Sequence, residues 1–140
     1  MPFGPPELQA FATGFPLSLL HALIALVVFV VGAAVYALMT PYKDVQLIRD
    51  GNPAAALSLG GALIGLAIPL AAALAASASV IEIAIWGVAV TVVQLTVFRL
   101  TDLALKGLPQ RIQDGEVPAA ALLVAAKISV ALILAAAVAA

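Results

Sequence analysis

The sequence contains no cysteine, a single histidine and one tryptophan, and charged residues make up only 9% of its 140 positions. Without cysteine there is no disulfide, thiolate metal site or thiol nucleophile. One histidine with no cysteine leaves too few donors for a transition-metal centre. Six Lys and Arg against seven Asp and Glu give a net charge of -1, so there is no basic surface for nucleic acid. His21 falls near one end of the apolar runs, whereas Asp44, Asp50, Asp102 and Asp114 fall near the other, so no acid, base and nucleophile converge. The expectation is a protein without catalytic residues or cofactors.

What is present is apolar. Hydrophobic residues make up 65% of the chain, against roughly half in soluble domains. The solvent, and the first partner, is therefore the lipid bilayer. Four long apolar runs cover about residues 16–40, 53–76, 80–105 and 117–140. Each is long enough, as a helix, to cross a hydrocarbon core of about 30 Å. None alternates as a barrel strand does, and a membrane segment must satisfy its own backbone. This predicts an all-α polytopic membrane protein with four transmembrane helices. Residues 1–15, MPFGPPELQAFATGF, read as a short external tail. Their acidic start, followed by so long an apolar run, is not the pattern of a secretory leader.

The second and fourth runs are related. IRDGNPAAALSLGGALIGLAIPLAAA, from Ile48, aligns with IQDGEVPAAALLVAAKISVALILAAA, from Ile112, at an offset of 64 residues without a gap, and 13 of 26 positions are identical. An internal repeat follows, pairing residues 16–76 with 77–140. Each copy holds two helices, so the second enters the membrane in the same direction as the first: two parallel two-helix repeats. Lys43, Arg49, Arg99, Lys106 and Arg111 all sit at one end, which makes both charged loops cytoplasmic and both termini external. Tyr36 and Tyr42 are expected at the inner headgroups and Trp86 at the outer ones.

Asp50, Gly51 and Asn52, with Asp114, Gly115 and Glu116, mark the two turns where the chain re-enters the membrane. Two related helix starts side by side suggest an anion site. Capping alone is the plainer reading, because the acidic residues already there repel an anion. The apolar residues just before these turns, Val45, Leu47, Ile48, Leu108 and Ile112, are expected to face lipid along the inner interface. Gly60, Gly61 and Gly65 make one face of the second run small, with GxxxG spacing from Gly61 to Gly65. Such a face packs against another helix of the chain or against a second copy. Pro69 is expected to kink the same helix.

Lys127 is the residue that least fits its surroundings. It replaces Leu63 of the other copy and lies about ten residues, or about 15 Å, into the fourth run. A charge there is costly in lipid, so it faces protein or water. Gln94 falls at the same depth on the third run and is the expected partner, with Thr91 one turn farther. Together Lys127, Gln94 and Thr91 form a polar intramembrane patch that lines a path, or else Lys127 simply snorkels toward the interface. His21 and Glu82 form a second candidate pair at the opposite face, able to relay protons or equally to sit among headgroups. Arg99 and Asp102, three apart on one helix face, are expected to pair.

The segment TPYKDVQLIRDGNPAAALSLGGALIGLAIPLAAALAAS, with the later VVQLTVFRLTD and RIQDGEVPAAALLVA, resembles the YjfL-like inner-membrane proteins, a bacterial family of unknown function. The resemblance implies a multi-pass bacterial inner-membrane protein, some of whose relatives are encoded near membrane-stress proteins, and it transfers no catalytic residue. Two readings of function stand. One is a homo-oligomeric channel or transport-like protein that uses the polar patch. The other is a scaffold that recruits a cytoplasmic protein partner through the loops at residues 42–50 and 106–116.

Overall fold

The computed structural model describes residues 4–40 and 42–140, and it builds the chain almost wholly from helix. The elements in order are α1 (Pro6–Met39), α2 (Asp44–Arg49), α3 (Pro53–Ala76), α4 (Val80–Ala104), α5 (Leu108–Gln113) and α6 (Val117–Ala139). Four of them, α1, α3, α4 and α6, are long and apolar enough to cross a membrane.

Helix α1 begins earlier than the expected start near Pro16. Pro6 occupies the first turn, where its missing N–H is no loss, and Glu7 adds a favourable charge at the same end. Pro16 sits inside the helix at an exposed position, and its lost hydrogen bond does not end it. The outcome is a helix of 34 residues, about 51 Å long. Most of the segment expected as a tail is therefore helical, while residues 1–3 lie outside the described residues.

The two re-entry turns share one backbone pattern. In the first, Gly51 N–H donates to the Ile48 carbonyl and Asn52 N–H to the Leu47 carbonyl. In the second, Gly115 donates to Ile112 and Glu116 to Arg111. Both are Schellman closures, and each turns on a glycine in the left-handed region, φ +88° at Gly51 and +83° at Gly115. Even the side chains correspond, since Gln46 donates to Asp50 as Gln110 does to Asp114. The caps then diverge. Asn52 Oδ1 accepts from Ala55 N–H at the start of α3, whereas Glu116 pairs with exposed Arg111 and does not cap α6.

Asn52 also ties the two turns together, its Nδ2 donating to the Ile112 and Gln113 carbonyls at 2.9 and 3.1 Å. One side-chain amide thus satisfies the first turn of α3 and the last carbonyls of α5. The apolar residues before the turns face inward, not toward lipid. Ile112 and Leu108 join Tyr42, Ala54, Ala55, Ala119, Ala120 and Leu123 in a buried cluster, with Leu47 and Ile48 packed on it. Only Val45 among them is well exposed. Two short amphipathic helices thereby close one end of the bundle.

Helices α3 and α6 form the most extensive packing, through small residues. A Cβ on Gly61 would strike the side chain of Val124, and one on Gly65 would lie 2.7 Å from Phe98 Cζ. The GxxxG face is therefore used within the chain, against α6 and α4. Gly60 differs from the expectation: nothing lies within 4 Å of a Cβ built there. On the other side α1 packs on α4, where Gly32 leaves room for the Thr91 methyl group.

Candidate functional site

The core stripe of α6 runs Ala120, Leu123, Lys127, Ala131, at spacings of three, four and four residues. Helical geometry therefore carries Lys127 into the bundle, where it is 1% exposed. The facing stripe of α4 has the same spacing, Thr91, Gln94, Phe98 and Asp102. Lys127 Nζ lies 3.1 Å from Asp102 Oδ1 and donates to Tyr36 Oη at 3.4 Å. It also stands over two rings, 5.2 Å from the centroid of Tyr36 and 5.1 Å from that of Phe98, which meet edge to face. The ammonium is held by one carboxylate, one hydroxyl and two π faces, all of them groups that attract a cation.

Around this pair lies a second layer of buried polar groups at the charged-loop end. Tyr42 Oη is 3.2 Å from Ser58 Oγ, and both residues are buried. Burial raises the Tyr42 hydroxyl above its usual range, with the Ser58 hydrogen bond acting the other way. Asp44, in the first turn of α2, is 4% exposed, and neither of its carboxylate oxygens accepts a hydrogen bond from the described residues. Burial pushes its carboxyl up to about 6, the Lys127 charge pulls it down, and the Asp102 charge pushes it up. A recess of about 10 Å³ lined by Tyr36, Met39, Thr40, Phe98, Arg99 and Asp102 reaches this cluster from outside, room for about one water molecule.

Gln94 does not bind Lys127. Its Nε2 donates at 3.1 Å to the carbonyl of Gly65. In a regular helix that carbonyl would accept from residue 69, but residue 69 is proline and has no N–H to give. Gln94 therefore repairs, from α4, the hydrogen bond that Pro69 removes from α3. Thr91 is likewise occupied, its Oγ1 donating to the Gly87 carbonyl of its own helix. The expected grouping of Lys127, Gln94 and Thr91 is thus one buried face but not one hydrogen-bonded site.

A profile of the domain-of-unknown-function family DUF350 matches residues 10–138. The chain belongs to that family. It is also 36% identical over 78 residues to the UPF0719 inner membrane protein YjfL of Escherichia coli (strain K12), and to the protein of the same name from E. coli O157:H7. Those matches take in 56% of this chain and 59% of each relative, so the chain spans under two thirds of the relatives' length. No solved structure matches it. This DUF350 chain is thus an inner-membrane protein of a family whose function is unknown.

Three other sequence expectations are corrected by the geometry. Asp102 pairs with Lys127 and not with Arg99. Tyr36 and Tyr42 are not headgroup anchors; at 3% and 7% exposure they point into the bundle. Glu82 takes the Ala78 amide at the start of α4, and among the described residues no hydrogen bond or ion pair joins it to His21. Sequence reading missed Tyr36, Tyr42, Asp44, Ser58 and Asp102 as members of the cluster. The stripe on α4 carried the signal for Asp102, since it continues the face of Gln94 and Phe98 by one turn.

Proposed function

We propose that this protein is a small transport-like inner-membrane protein in which an ion or small polar solute passes through the bundle by way of the Lys127–Asp102–Tyr36 cluster. The observation that carries this reading is a buried charged pair between two spanning helices, with Lys127 1% exposed and Asp102 in the last turn of α4. Intramembrane ionisable residues are costly and commonly mark ion or proton pathways. Because Lys127 is turned into its own chain, the path lies within each protomer and not around a ring of lysines.

In this reading the chain is two parallel two-helix repeats, supported by the matching hydrogen bonds of the turns at Gly51 and Gly115. The charged loops are cytoplasmic and the termini external, which fits the placement of Lys43, Arg49, Lys106 and Arg111 at one end. Copies associate as a homo-oligomer through the α1–α4 side, where a wholly apolar groove of about 290 Å³ runs past Val31, Gly32, Val35 and Val88. Mass measurement in nanodiscs tests the last point; a monomer would refute it.

The transport reading requires water to reach the cluster during the cycle. Ser58→Cys places a thiol, unique in this cysteine-free chain, beside Tyr42 at a position 1% exposed. A small charged thiol reagent should label it faster under an imposed ion gradient than at rest. Labelling that is equally slow in both conditions would oppose the reading.

A second reading, a scaffold for a cytoplasmic membrane-stress partner, is favoured by one feature. Arg99, Asp102, Lys106, Gln110 and Gln113 line an open depression of about 340 Å³ at the charged-loop end. Pull-down with the intact loops should then recover a protein that a scrambled-loop control does not. Equal recovery from both would remove this alternative.

A further inference from the structure

Two carboxylates and one ammonium share the buried cluster, and the arithmetic of their charges leaves one negative charge without a partner. Lys127 is committed to Asp102 at 3.1 Å. Asp44 is the residue left over: it is 4% exposed, and among the described residues no donor reaches either oxygen. Tyr36 Oη accepts from Lys127 and Tyr42 Oη bonds with Ser58 Oγ, and neither hydroxyl reaches Asp44. Helix α3, on which α2 packs, has no titratable residue, and the cations near Asp44 in sequence, Lys43 and Arg49, are exposed. A buried carboxylate with no donor, and with the nearby cation already paired to another carboxylate, is disfavoured and is relieved by taking up a cation.

We propose that Asp44 is a proton-binding site, a buried carboxyl that holds one proton and thereby brings the Asp44–Asp102–Lys127 cluster to neutrality. The ligand is a proton and not a multivalent metal, because among the described residues no three His, Cys, Asp or Glu side chains converge. The charges that set its affinity sit on other elements, Lys127 on α6 opposing protonation and Asp102 on α4 favouring it, and Tyr36 and Tyr42 are the other titratable side chains of the cluster. Burial is the larger influence and lifts the carboxyl to about 6. Proton release then creates a net negative charge beside the ion pair. The site goes beyond the transport reading and stands whether or not the protein moves an ion.

The test is infrared difference spectroscopy of the full chain in nanodiscs, stepped from about pH 8 to about pH 4, spanning the ordinary carboxyl range. The wild type should develop a protonated-aspartate carbonyl band with its midpoint near 6, moved by labelling with ¹³C-aspartate. Asp44→Asn should lack this band. If that variant does not fold, Asp44→Glu must make the band insensitive to the aspartate label. The proposal is overturned by a wild type with no aspartate band in this range, by a band that survives Asp44→Asn, or by sodium at fixed pH and ionic strength abolishing the band, which would make this a metal-cation site.

Discussion

The ammonium of Lys127 and the carboxylate of Asp102 meet at 3.1 Å because their side chains lean toward each other. Side chains lean toward the N-terminus of their own helix, and α4 and α6 run in opposite directions. Lys127 therefore reaches back toward the charged-loop end while Asp102 reaches into the bundle. Removing one partner leaves the other charge buried and alone. Lys127→Met should destabilise the protein by about 3–5 kcal/mol. Lys127→Met with Asp102→Leu should recover most of that loss. A thermal double-mutant cycle in detergent measures the coupling, and simple additivity would mean that the pair does not form.

Gln94 and Pro69 should be coupled in the same experimental sense. Gln94→Leu leaves the Gly65 carbonyl without a donor, at a cost of about 1–3 kcal/mol. In a Pro69→Ala background the backbone N–H restored at that position supplies the bond, and Gln94→Leu should become nearly neutral. An undiminished loss would show that Gln94 stabilises the bundle by some other contact.

The two adjacent glycines of α3 should behave differently. Gly61→Ala pushes a methyl group into Val124 and should cost about 1–3 kcal/mol. Gly60→Ala meets open space and should be neutral, or gain up to about 1 kcal/mol from better helix propensity. Thermal unfolding of the two variants separates a packing role from a general need for flexibility. Equal losses would contradict the placement of the α3–α6 contact.

Asp44 gives stability a definite pH dependence. Its carboxyl is raised from 3.8 to about 6, so the folded chain binds the proton more tightly than the unfolded one. The stability this contributes is fully present below the unfolded value and is lost as pH rises through 6. Wild type should therefore gain stability, through this group, as pH falls from about 7 toward 4, and Asp44→Asn should lack that gain. Denaturation midpoints in a non-ionic detergent across this range check the sign.

The spans were legible because apolar run length alone marks a membrane helix, and three of the four observed helices start within a residue of the expected positions. The N-terminus of α1 was not, because Pro16 looks like a boundary and only its exposed setting lets the helix continue. Lys127 was visible as a lone charge, but its partner was not. Counting residues gives the depth of a Cα, and two leaning side chains displace the meeting point by about two helical turns, from Gln94 to Asp102. Gln94 was drawn away by a backbone vacancy at Gly65 that only the pairing of Pro69 with α4 reveals. The rule that tyrosines anchor at headgroups failed at Tyr42 because α2 and α5 fold over it at that end of the bundle, and at Tyr36 because α1 turns it onto Ala62, Leu66, Leu95 and Phe98 of α3 and α4.

The most direct test of the transport reading is ion flux into proteoliposomes that contain the purified chain. Proton and monovalent-cation uptake would be followed under an imposed gradient for the wild type and for Lys127→Leu. The wild type should show flux above protein-free liposomes and the variant should lose it by at least about tenfold, equivalent to about 1.4 kcal/mol in barrier height. Equal flux from the two proteins would contradict the transport reading.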